Sequence, residues 1–108
     1  MTCGSSLRLA LSINGQGQVD ALGLQVQACA IGQASAALFA KHAIGRSIDD
    51  IAYALEQLTQ WLKQTPALPD WPGLQAIVAA RDYPARHGAI MLAWQAALQA
   101  LSSAVKPG

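Results

Sequence analysis

Leu7, Leu9, Leu11 and Ile13 alternate with Ser6, Arg8, Ala10 and Ser12, a period of two that predicts a β-strand with one apolar face. Asn14-Gly15-Gln16-Gly17 follows, residues that tolerate the positive φ of a tight turn. From about Gln18 to Ala28 the alternation resumes, with Leu22, Leu24 and Val26 set against Gly23, Gln25 and Gln27. Closing the hairpin on the four turn residues places Ile13 opposite Gln18 and carries the pairing back to Cys3 opposite Ala28. Cys3 and Cys29 then stand side by side at the hairpin's open end. A one-residue slip changes the face each thiol takes without separating them.

Beyond Cys29 the period changes. Gly32 to Ala43 is alanine-rich, with Ala34, Leu38 and His42 at helical spacing, and Gly45 is its stop. Cys29 therefore sits just before a helix N-terminus, where open backbone N–H groups favour a thiolate. Ser47-Ile48-Asp49-Asp50 is an acidic capping box. Ile48, Ile51, Leu55, Leu58 and Leu62 trace one face of an amphipathic helix to about Gln64. Pro66, Pro69 and Pro72 make an extended loop, and Asp70 is the candidate cap of a short helix from about Trp71 to Ala80. Pro84 opens the last helix, which runs to about Ser103. Ile90, Met91, Leu92, Trp94, Leu98 and Leu101 cover more than one of its faces, the mark of a central or interface helix. A hairpin followed by about four helices predicts an α+β fold, a small antiparallel sheet packed on one face by helices.

The 108 residues suit one domain spanning 1–108. Apolar residues make up 53% and charged residues 12%, so much of the alanine and leucine has to be buried within the chain or against a partner. A formal charge of +1 gives no electrostatic case for nucleic acid or an anionic membrane. The start of the chain lacks the charged and apolar regions of a secretory signal. The most apolar stretch, Ala89 to Val105, is interrupted by Gln95, Gln99, Ser102 and Ser103, so no membrane span is expected. The default compartment is the cytoplasm, where two cysteines are more often free thiols or ligands than a disulfide.

Cys3, Cys29 and His87 are the candidate metal ligands: two thiols and an imidazole suit zinc, ferrous iron or an iron–sulfur cluster. His87 falls in the first turn of a helix, where positive charge is disfavoured and a neutral, metal-binding ring is expected. The cysteine spacing matches no zinc-finger pattern, and two ordinary buried thiols with a surface histidine remain the alternative. His42 reads as structural or surface, Lys41 and Arg46 as isolated charges, and Trp61, Trp71 and Trp94 as core. No phosphate-cradling glycine loop is present, and no serine has an evident histidine and acid partner, so a conventional enzyme is not expected.

Taken together, these segments resemble the NifU/IscU family of iron–sulfur cluster scaffolds. Cys3-Gly4-Ser5-Ser6-Leu7-Arg8-Leu9 is similar to the family's Cys-Gly-Asp strand start. Ala28-Cys29-Ala30-Ile31-Gly32-Gln33-Ala34-Ser35-Ala36 is similar to its Gly-Cys-Ala-Ile-x-x-Ala-Ser segment, and Gly45-Arg46-Ser47-Ile48-Asp49-Asp50 to its Gly-Lys-Thr/Ser helix start. Pro84-Ala85-Arg86-His87-Gly88-Ala89-Ile90-Met91-Leu92 is similar to its final-helix stretch, which carries Pro, Arg/Lys, His/Lys-Cys and Leu in that order. The order holds from Cys3 to about Leu101. The resemblance implies cluster assembly: a transient [2Fe–2S] cluster or Zn²⁺, a cysteine desulfurase that supplies sulfur, and acceptor proteins that take the cluster.

Position by position, the resemblance carries its first two cysteines to Cys3 and Cys29 and its histidine to His87. The family's aspartate falls on Ser5 and its third cysteine on Gly88, which has no side chain. The remaining triad can hold zinc with one open place, but is short of the four ligands of a [2Fe–2S] cluster unless a dimer shares them. The family's N-terminal helix and first strand have no counterpart ahead of Met1, so an exposed sheet surface is expected to favour a homodimer or partner binding. Two other roles compete with scaffolding, a degenerate zinc-binding paralogue and a metal-free protein-interaction module.

Overall fold

The computed structural model describes residues 6–63 and 68–105, with side chains to residue 102. It is α+β, in the order β1 (Ser6–Ile13), β2 (Val19–Gln27), α1 (Ala30–Ala43), α2 (Ile48–Leu62), a 3₁₀ run (Leu74–Asp82), a single 3₁₀ turn (Pro84–Arg86) and α3 (His87–Val105). β1 and β2 form a two-stranded antiparallel sheet. Leu7, Leu9, Leu11, Ile13, Leu22, Leu24 and Val26 turn inward and pack on the helical core. Ser6, Arg8, Ala10, Ser12, Ala21, Gly23, Gln25 and Gln27 lie exposed on the other face.

The register differs from the one expected by two residues: Ser6 faces Gln27 and Leu9 faces Leu24. Each of two local features adds one residue. The turn takes in Gln18, because the Asn14 carboxamide oxygen accepts from the backbone N–H groups of Gln16 and Gln18 and the Asn14 N–H donates to the Gln18 carbonyl. Ile13 therefore pairs with Val19, and a bulge between Ser12 and Ile13 then lets Asp20 pass unpaired, so Ser12 faces Ala21. An even offset returns every side chain to its expected face, so the apolar pattern survives it. The expected pairing of Cys3 with Ala28 lies outside the described residues.

β2 is pinned at its start. The Val19 N–H donates to the Arg46 carbonyl, and the Gly45 N–H donates to the Val19 carbonyl. Gly45, at φ +90°, makes the left-handed turn that ends α1. At the next turn Ser47 and Asp50 close a reciprocal capping box.

The short helix expected from Trp71 is corrected. The 3₁₀ run begins at Leu74, three residues later, and Asp70 does not cap it; the Asp70 N–H instead donates to the Gln57 side chain. Gly73, at φ +89°, breaks the chain there, and a Cβ on it would meet Leu38 at 2.5 Å. Trp71 is thereby freed to enter the core. Its ring stacks on Phe39 at 5.5 Å, meets Trp94 edge-on at 5.3 Å, and its indole N–H donates to the Leu38 carbonyl. α3 runs through the middle of the molecule against α1, α2 and β1, with Ile90, Ala93, Trp94, Ala97 and Leu101 buried. Among the described residues no helix is long and apolar enough to cross a membrane.

Candidate metal centre

Cys29 is the N-cap residue of α1, with extended backbone (φ −63°, ψ 171°), and is half-buried. Only Ala28 separates it from Gln27, the end of β2, which pairs with Ser6, the start of β1. The hairpin's open end and the start of α1 are thus one place in the molecule.

α1 and α3 lie side by side in the same direction. A Cβ on Gly32 would stand 3.2 Å from that of Ala89, the Ser35 hydroxyl donates to the Ile90 carbonyl at 2.6 Å, and Phe39 meets Trp94 at 5.3 Å. The contacts climb both helices together, so both N-termini point to the same end. Gly32 is less than one turn from Cys29, and Ala89 is two residues from His87. Small residues make this possible: Gly32 has no room for a side chain, since its Cβ would also stand 2.6 Å from that of Ala28. The structure therefore brings the Cys29 and His87 ends of two helices together beside the open end of the hairpin. Cys3 and Ser5 precede β1 and lie outside the described residues.

His87 is the first residue of α3 and is half-buried. Its Nε2 lies 2.7 Å from the Arg81 carbonyl. Gly88 is exposed, and a Cβ there would meet nothing within 4 Å. A shallow cleft of about 520 Å³ opens at the same end of the sheet, lined by Ser6, Arg8, Gln25, Val26 and Gln27.

A thiol and an imidazole are donors that fit zinc, ferrous iron or a cluster iron. Among the described residues no three of His, Cys, Asp or Glu gather closely enough to hold a metal ion, so these donors alone do not complete a four-coordinate site. The other chemistry-bearing residues are structural. Trp61, Trp71 and Trp94 are all buried, as expected. Arg46, read from the sequence as an isolated charge, lies over the Trp71 ring at 4.1 Å and donates through Nε to the His42 carbonyl. His42 is half-buried in α1. The Arg81 carbonyl beside His87 had no signal in the sequence, because a backbone acceptor belongs to any residue type.

No family model matches the chain, and no curated protein matches it. Solved structures do. A nitrogen-fixing NifU-like protein (N-terminal) from Brucella abortus is 28% identical, with a TM-score of 0.85 over 96% of this chain and 74% of that one. A putative iron–sulfur cluster assembly scaffold protein for the SUF system from Fervidobacterium islandicum AW-1 is 19% identical, with a TM-score of 0.75 over 86% of this chain and 68% of that one. A hypothetical protein of 18% identity matches with a TM-score of 0.74 over 93% of this chain and 74% of that one. The NifU/IscU-type resemblance read from the motifs and the α+β architecture expected from the pattern are both borne out.

Proposed function

We propose that this NifU/IscU-like chain, acting as one domain, is a scaffold for iron–sulfur cluster assembly rather than an enzyme. The observation that carries the reading is that Cys29, at the N-cap of α1, and His87, at the start of α3, stand at the same end of two packed helices, in a fold shared with a NifU-like protein. Cys29 and His87 supply a thiolate and an imidazole at a rim of the molecule. Cys3, three residues ahead of β1 in sequence, is the third ligand of the proposal. Iron and the nascent [2Fe–2S] cluster are cargo: held at the rim, then released to an acceptor protein. Sulfur would come from a cysteine desulfurase, and the cytoplasm is the proposed compartment. The ligand that a cluster still requires would come from a partner or from a second copy of this chain.

The test is reconstitution. Protein purified without oxygen is offered ferrous iron and sulfide, beside Cys3→Ser and Cys29→Ser variants, and followed by elemental analysis and visible absorption. A cluster spectrum in the wild type that is lost in the variants supports scaffolding. Cluster content unchanged by both substitutions overturns it.

A second reading is favoured by Gly88. A backbone-only position beside His87 leaves two thiols and one imidazole, which suits a single zinc with one open place better than a cluster. Zinc bound at one ion per chain, unaffected by iron and sulfide, would assign the chain to that role. Protein that takes up neither metal nor cluster would leave an interaction module.

A further inference from the structure

The bond between His87 and Arg81 fixes more than a ring orientation. A carbonyl oxygen can only accept, so the 2.7 Å contact requires a proton on Nε2. In the neutral ring the lone pair is then on Nδ1, which has no hydrogen-bond partner among the described residues. We infer that the Arg81 carbonyl is a positioning group for the metal site and that His87 ligates through Nδ1, its tautomer set before metal arrives. This rests on the metal-binding reading above.

The acceptor is itself held. Between Arg81 and His87 the chain makes a tight bend closed by its own bonds: the Tyr83 N–H donates to the Ala80 carbonyl, the Arg86 N–H to the Tyr83 carbonyl, and the His87 N–H to the Pro84 carbonyl. Pro84 stiffens the bend at the start of its 3₁₀ turn, where a missing N–H costs nothing. Arg81 is anchored from the other side by its guanidinium, 5.6 Å over the buried Trp61 ring. Metal-bound histidines commonly donate their second ring N–H to a carbonyl or carboxylate, which fixes the tautomer and raises ligand basicity. Here that arrangement is present in the protein alone.

The experiment is ¹H–¹⁵N correlation of the His87 ring in the full chain, above the pH range in which imidazole titrates, before and after Zn²⁺ addition. Expected is a protonated Nε2 and a bare Nδ1 in metal-free protein, with Zn²⁺ moving the Nδ1 resonance and leaving Nε2–H in place. Pro84→Gly, which loosens the bend, should mix the tautomers and weaken zinc binding by about tenfold, the scale of losing such an outer partner. Zinc bound through Nε2, or bound with both ring nitrogens unmoved, overturns the inference while leaving a thiolate-based site standing. Absence of any zinc binding overturns the inference and the zinc reading together. A Pro84→Gly variant with wild-type ring resonances and affinity removes the positioning role.

Discussion

The hydroxyl of Ser35 on α1 donates to the main-chain oxygen of Ile90 on α3 at 2.6 Å, in a site closed to solvent. Ser35 is the only polar residue buried in the core among the described residues. It crosses from one helix to the other just behind the end that carries Cys29 and His87, so it sets the spacing of the two candidate ligands. Ser35→Ala removes the donor, while the Ile90 carbonyl keeps its place in its own helix. The loss should be about 1 kcal/mol, the net worth of a buried hydrogen bond. Urea unfolding should show a lower midpoint at unchanged slope; an unmoved midpoint would mean that the bond carries no net stability.

Two glycines near the site should respond in opposite ways. At Gly32 a side chain has nowhere to go, with Ala28 and Ala89 already at 2.6 and 3.2 Å from a Cβ. Gly32→Val should cost about 1–3 kcal/mol by overpacking and should part the N-termini of α1 and α3. At Gly88 the space is open, and Gly88→Ala should be neutral or stabilising by up to about 1 kcal/mol through helix propensity. Thermal melts of the pair decide the matter. Equal melting temperatures would contradict the close approach of the two helices at Gly32.

Trp71 closes the core from a loop. It touches Phe39, Trp94, the Leu38 carbonyl and the Arg46 guanidinium together. Trp71→Ala should cost about 3–5 kcal/mol, the range for deleting a large buried aromatic. Arg46→Met keeps an apolar stem but loses the cation over the ring and the bond to His42, and should cost about 0.5–2 kcal/mol. Denaturant titrations of both variants test the ordering. If Arg46→Met were the more damaging, the guanidinium rather than the indole would be the keystone of this corner.

The faces of the elements were legible in the sequence, and their exact offsets were not. Leu7, Leu9, Leu11 and Ile13 declare their inward face by alternation alone, and Ser47 with Asp50 declares the start of α2 because capping is a local interaction. The two-residue offset of the hairpin was hidden because it depends on Asn14 bonding to Gln18 and on Asp20 slipping out of register, and an even offset leaves no trace in the pattern. The start of the short helix and the role of Arg46 were misjudged for a related reason. The break at Gly73 is needed to send the indole inward, and only a tertiary contact gives the arginine its ring. Of the candidate site, Cys29 at a helix start was read from its neighbours in sequence. Its approach to His87 follows from the small residues Gly32 and Ala89, whose meaning appears only when the two helices lie together.

Gly88 offers a gain-of-function test. It is the second residue of α3, exposed, with open space where a side chain would begin. Gly88→Cys would add a thiolate next to His87 at the end of the molecule where Cys29 precedes α1. The fold should tolerate it, because the new Cβ meets no neighbour. On the proposed set of Cys3, Cys29 and His87, a fourth donor would fill the open place, so zinc should be held more tightly by at least about tenfold, a modest response for a change within a metal site. The same variant should retain a reconstituted cluster longer than the wild type after removal of excess iron and sulfide. Competition against a chromophoric chelator measures the first effect and the decay of visible absorbance the second. Adding Cys29→Ser to the variant should erase both gains if the thiols act on one ion. Affinity that ignores the new thiol would show that the metal, where it binds, sits away from the start of α3.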